Sequence, residues 1–220
     1  MKWLDRLFLE PINAVTHFLA ALLALPGVAW LLILSRHEPG KMLALLVYGL
    51  GLTVLFGASA LLHGLKVGDR WHMWLNRFDH MAIFLLIAGT YTPIVHTFFP
   101  QQWRLPVLAG VWLVSGVGML YKLASVRIHG FFNVSIYMLL SWGGALPLTL
   151  AAGAAPAIGR DGLLLLLLGG LIYSVGFVVY YVRRPDPWPG RFGHHEIWHL
   201  FVIAGSLCHY LFMLNHVVPT

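Results

Sequence analysis

The stretch KMLALLVYGLGLTVLFGASALLHGL, residues 41–65, carries no acidic or basic side chain between Lys41 and His63. A run of more than about 18 apolar residues is long enough to cross the ~30 Å hydrocarbon core of a bilayer as a helix. Comparable runs flank it on both sides. Together they predict seven spans, at 13–35, 41–65, 76–99, 103–123, 131–152, 162–182 and 195–218. Only 10% of the 220 residues are charged, 59% are hydrophobic and the mean hydropathy is +0.79, whereas a soluble domain carries about 25% charged residues. That balance excludes a soluble globule. The expected architecture is an all-α, integral membrane bundle of seven transmembrane helices, a single domain over 1–220 with no room for a separate soluble unit.

The net charge of +6 is not read as a nucleic-acid signal, because the basic residues sit in short links between apolar runs and act as topology signals. Lys2, Arg6, Lys66, Arg70, Arg77, Lys122, Arg127, Arg183, Arg184 and Arg191 fall on one side, against Arg36, Lys41, Arg104 and Arg160 on the other. Ten against four predicts a cytoplasmic N-terminus and, with seven spans, a C-terminus outside. This is the reverse of the G-protein-coupled receptor orientation. The first residues, with Lys2, Asp5, Arg6 and Glu10, show no small-residue cleavage site of a removable signal. The one cysteine, Cys208, lies in an apolar run and reads as a packing residue. Gly49, Gly51, Gly57 to Ala60, Gly169, Gly170 and Gly176 suit close helix packing in lipid. Pro26, Pro93, Pro106 and Pro147 are expected to kink helices or mark their ends.

Ionisable groups inside a span cost at least ~2.5–3.5 kcal/mol at mid-helix, so each asks for a reason. The expected orientation collects them at one depth. His63 closes the second span, Asp79 and His80 open the third, His195, Glu196 and His199 open the seventh, and Glu10, Asn13 and His17 open the first. Ser59 and His63, His195 and His199, and Asn13 and His17 are each four apart and so share a helix face. Two imidazoles at i and i+4 suit zinc, and His63 would complete a three-histidine set. Asp79 and Ser59 would then attend the water in the fourth position, unless His80 fills it. The same residue types also build proton-relay or ion-pathway clusters, and spacing alone leaves both open. His37, His72, His96, His129, His194 and His216 read as interfacial or packing residues.

The string His195-Glu196-Ile197-Trp198-His199 matches the zincin motif HExxH, in which the Glu is a general base. A metzincin would continue with Gly and His where Val202 and Gly205 stand, so the string is read as two ligands on one face with Glu196 outside the set. His209, ten residues beyond His199, is about 15 Å along the axis and too far for the same ligand set. It reads as a deeper polar site or a helix-to-helix hydrogen bond.

Four ordered motifs carry a family resemblance. EPINAVTH (10–17), SALLH (59–63), RFDH (77–80) running on to AGTYTP (88–93), and GHHEIWH (193–199) through Cys208 and His209 together resemble the hemolysin III proteins, the bacterial branch of the progestin and adipoQ receptor family. The resemblance spans nearly the whole chain. It implies seven helices with the N-terminus inside and a zinc ion held by His63, His195 and His199, with Asp79 and Ser59 near its water. Glu10, Asn13, His17, His80 and His209 are then read as groups that support the ligands or tie helices together. Alkaline ceramidases belong to the same wider superfamily, so the resemblance implies hydrolysis of a lipid amide or ester. Leu62, Phe18 and Ser141 depart from the usual Tyr, Gly and Gly and bear on the shape of the substrate pocket.

Two function classes follow. The first is a zinc-dependent hydrolase acting on an acyl lipid at the cytoplasmic side of a bacterial inner membrane, with membrane lipids as its partners. The second is a non-enzymatic regulator of membrane lipid state, or a pore, with a structural zinc. The family name suggests lysis of red cells, yet a chain with seven spans should stay in its own membrane.

Overall fold

The computed structural model describes residues 4–124 and 136–220. A short turn of helix, α1 (Leu4–Leu7), leads into α2 (Pro11–Leu34), followed by α3 (Pro39–Gly64), α4 (Asp69–Phe98) and α5 (Gln101–Ala124). Then come α6 (Ile136–Ala151), α7 (Ala155–Val182) and α8 (His194–Phe212), which runs on in wider π-type turns over Met213–Val217. Pro11 and Pro39 open α2 and α3 in the first turn, where a missing N–H costs nothing and φ is already helical. Among the described residues the extended pairing is a single bridge between Trp188 and Phe192.

Six of these helices are long and apolar enough to span a membrane, and α6 is a shorter apolar helix beside them. The start of the expected fifth span, with Arg127 and His129 before it, lies outside the described residues. Their neighbours are sequential: α2 packs on α3, α3 on α4, α4 on α5 and α7 on α8, while α2 meets α8 to join the first and last spans. Leu31, Leu45, Tyr48, Phe84, Val95, Phe212 and Met213 are fully buried, whereas Leu23, Leu105, Leu113 and Leu171 stand exposed. An apolar exterior of this kind would drive a soluble protein to aggregate; around a bundle it is the surface that meets lipid. Gly51 lies against the backbone of Leu85 and Leu86, and Gly89 against that of Val47 and Tyr48. A Cβ at either position would sit 3.1 Å from a carbonyl oxygen, so this pair lets α3 and α4 approach closely.

The helices differ from the expected spans at two places. The third span, expected at 76–99, belongs to a helix that begins seven residues earlier, at Asp69. Arg70, His72 and Asn76 end the hydrophobic run without breaking the helix, and the break comes at Gly68 instead. Arg77, counted above as a link residue, therefore lies inside α4 and is buried. The sixth span, expected at 162–182, is preceded by helical residues from Ala155, with Gly159 (φ 75°, ψ 165°) interrupting the regular backbone. Glycine alone takes that conformation without strain.

Candidate metal centre

The C-terminal end of α3 supplies His63 and the first turns of α8 supply His195 and His199. The three ring centroids form a nearly equilateral triangle, 5.0 Å from His63 to His195, 4.8 Å from His63 to His199 and 4.9 Å from His195 to His199. One ligand atom from each lies within 4.8 Å of the others, close enough for the three to hold a metal ion. His63 and His199 are buried and His195 is half-buried. Imidazoles on a rigid frame fit a borderline cation, and the buried Nδ1 of His199 has no hydrogen-bond partner among the described residues.

The frame around the triangle comes from α2. The backbone N–H of Glu10 donates to the His63 carbonyl at 2.8 Å and that of Leu9 to the Gly64 carbonyl at 3.3 Å, occupying carbonyls that the end of α3 leaves free. The Glu10 carboxylate also accepts from His63 Nδ1 at 2.8 Å, which leaves Nε2 as the nitrogen free to hold a metal. The same oxygen lies 3.7 Å from His195 Nδ1. The bond from His63 holds the Glu10 carboxyl down to about 2, against the desolvation of its position and with further help from Asn13. Glu10 therefore stays ionised at neutral pH.

Asn13 Nδ2 donates to Glu10 Oε2 at 2.8 Å and to Glu196 Oε1 at 3.0 Å, while Glu196 Oε2 accepts from the Gly193 backbone N–H at 2.8 Å. Glu196 thus caps the first turn of α8, with both carboxylate oxygens hydrogen-bonded and outside the three-histidine cluster. His17 is buried beside the triangle, its ring centroid 3.9 Å from that of His199 and its Nε2 3.5 Å from the His199 carbonyl.

The triangle opens onto a cavity of about 540 Å³ between α3, α4, α6, α7 and α8. Asp79 and Ser59 line it at the histidine end, and Ser59 is near enough to interact with the Asp79 carboxyl. Asp79 stands outside the three-histidine cluster. His80 also lines this end, with Nδ1 donating to the Asn76 carbonyl at 2.8 Å. Away from the histidines the lining turns apolar, with Ile83, Ile87, Ile94, Leu163, Leu166 and Val202. His209 reaches this deeper part, packs over Gly169 and interacts with the Leu166 carbonyl of α7. On α6 the turns widen over Leu139–Gly144, and the Tyr91 hydroxyl donates to the carbonyls of Leu140 and Ser141 at 2.9 and 3.2 Å.

Some cavity residues went unread in the sequence. Tyr173, Phe177 and Tyr180 line one wall, and Tyr180 stands 5.5 Å from the His195 ring. Their spacing of four and three was the available signal. His72, expected as an interfacial residue, lines the cavity as well, because α4 continues helically through it.

Residues 6–210 match the family described as haemolysin-III related. The chain is 33% identical over 215 residues to hemolysin-3 of Bacillus cereus, covering 96% of this chain and 93% of that one. It is 29% identical over 211 residues to the hemolysin-3 homolog of Bacillus subtilis, covering 95% and 94%. The adiponectin receptor protein of Drosophila melanogaster is 27% identical over 226 residues, 95% of this chain and 51% of the receptor. Spanning helices and Bacillus relatives together make this an integral membrane protein of the bacterial plasma-membrane kind. The chain belongs to the haemolysin-III-related family, whose similarity extends to the adiponectin receptors.

Proposed function

We propose that the protein is a zinc-dependent hydrolase of a lipid amide or ester, working at the cytoplasmic end of its bundle with the N-terminus inside. The observation that carries this reading is the meeting of three metal-capable histidines with Asp79 and Ser59 at the polar end of a long apolar cavity. His63, His195 and His199 would hold the ion. When bound there, zinc lowers the pKa of water toward ~7 and polarises a carbonyl. The remaining work falls to the chain. The apolar lining receives an acyl tail, which sets the carbonyl at the histidine end. The Asp79 carboxylate takes a proton from water as the water oxygen bonds to the acyl carbon, and gives it to the leaving amine or alcohol as the acyl carbon to heteroatom bond breaks. Ser59 orients that carboxylate, and Glu10 fixes the His63 ring.

The test compares Asp79→Ala and Glu196→Gln, each measured for bound zinc and for turnover over a panel of ceramides, acyl amides and acyl esters. Asp79→Ala should keep its zinc and lose at least about 100-fold in turnover, the usual contribution of a general acid or base. Glu196→Gln should keep most of its activity, because its carbonyl oxygen can still accept from Gly193. No zinc-dependent turnover in the wild type, or equal activity in Asp79→Ala, would overturn the hydrolase. Loss of turnover with zinc retained in Glu196→Gln alone would hand the base role to that residue.

A further inference from the structure

The first two turns of α4, Asp69 to Leu75, lie before the expected hydrophobic span and turn two indoles outward. Trp71 is 68% exposed and Trp74 41% exposed, and with Arg70 they line a surface pocket of about 300 Å³. Arg77, one turn further along, stacks its guanidinium 4.9 Å over the Trp74 ring. Trp74 stands four residues from Arg70 and three from Arg77, so the three share a helix face.

Two features make this more than an aromatic belt. Arg77 is only 9% exposed, yet neither it nor Arg70 forms an ion pair with a carboxylate among the described residues. Between Lys66 and Phe78 the one acid is Asp69, against Lys66, Arg70 and Arg77. A buried guanidinium without a counter-charge among the described residues, next to exposed indoles at a membrane–water boundary, suits an anion from outside the chain. The membrane offers one in a phosphate at headgroup depth, beside which an indole packs against glycerol and the first methylenes.

We propose that Arg70, Trp71, Trp74 and Arg77 form a docking site for the headgroup of an anionic phospholipid. The other side of the same helix carries His72, Asn76, Asp79 and His80, which line the cavity. A lipid held by its phosphate on α4 therefore stands beside the histidine end of the cavity. The site is independent of the hydrolase reading, since it requires neither metal nor turnover.

The experiment titrates the purified full-length protein in detergent with phosphatidylglycerol or phosphatidylcholine of matched chains and counts retained lipids by native mass spectrometry, with bound zinc measured in parallel. The wild type should prefer the anionic lipid, and each arginine removed should cost about fivefold, so that Arg70→Gln with Arg77→Gln loses about 25-fold. Arg70→Gln alone changes an exposed side chain and keeps the test open if the double variant does not fold. Trp71→Ala should weaken both lipids alike, because the indole meets the part they share. Equal retention of the two lipids by the wild type would overturn the site, as would an undiminished preference in Arg70→Gln. So would finding this face covered by a second copy or another protein that excludes lipid. Zinc content unchanged in the arginine variants separates failure of the dock from failure of the metal centre.

Discussion

Glu10→Ala isolates what the carboxylate does for the metal centre from what the helix ends do for the fold. Glu10 grips His63 twice, by its backbone N–H on the His63 carbonyl and by its side chain on Nδ1, each at 2.8 Å. Alanine removes only the second grip. The end of α3 stays tied to α2, but the imidazole is free to turn and to exchange its tautomer. Removing the hydrogen-bond partner of a ligand imidazole costs about 10- to 100-fold in metal affinity. The lower part of that range applies, because Glu10 hydrogen-bonds one ring, stands 3.7 Å from the other, and is 43% exposed so that water can replace it in part. The expected loss is about 10- to 30-fold in zinc affinity for Glu10→Ala. Glu10→Gln keeps an acceptor oxygen and loses the charge, a difference of about fivefold. Both are read by competition against a chelator of known affinity, with the melting curve of the metal-free protein as the control for fold. The pH dependence carries a sign: a carboxyl lowered from 4.5 to about 2 contributes its anchoring fully above 4.5 and loses it as pH falls through 2, so near neutrality the anchor is constant. An affinity within about twofold of wild type in Glu10→Ala would refute the orienting role. A loss beyond about a thousandfold with the fold intact would make Glu10 a ligand in its own right.

Two further predictions concern the bundle. Gly51→Val should lower the melting temperature in detergent, because the added atoms meet the α4 backbone at 3.1 Å or less, an overpacking cost of about 1–3 kcal/mol; Gly57→Ala, with nothing within 4 Å, should leave it unchanged or slightly raised. Tyr48→Phe should be neutral or stabilising by about 1 kcal/mol, since the Tyr48 hydroxyl is fully buried without a hydrogen-bond partner among the described residues. A clear drop in melting temperature would mean that the hydroxyl is held in the folded state.

Hydropathy made the spans legible, because the cost of placing charge in hydrocarbon leaves a deep imprint on composition. It did not make the helix ends legible, since polarity and helix termination are separate properties. Asp69 to Leu75 is helical but broken by Asp69, Arg70 and His72, so a reading that followed apolar runs began the span at 76 and counted Arg77, at its edge, with the link. That His195 and His199 share a face of α8 could be read from their spacing of four. That His63 joins them could only be suggested by depth, because the contact depends on which helices are neighbours. Tyr180 and His72 were hidden for the same reason: they face the cavity through the rotation of their helices, which a single chain's periodicity does not fix.

The string HExxH shows how a motif and a fold use the same residues differently. His195 is the second residue of α8, in a first turn whose backbone N–H groups have no intrahelical partners and which frays readily. A ligand in that turn needs the turn itself to be held. Glu196 does this by accepting from the Gly193 N–H, and Asn13 ties Glu196 to α2. Because Asn13 also donates to Glu10, one amide couples the carboxylate that orients His63 to the carboxylate that steadies His195. The two ends of the chain are thereby joined through a pair of acids that stand just behind the ligands. A protease would need Glu196 in front of the histidines to activate water. Here it is bound to the helix cap, and the acids that line the cavity are Glu10, tied to His63, and Asp79, arriving from α4.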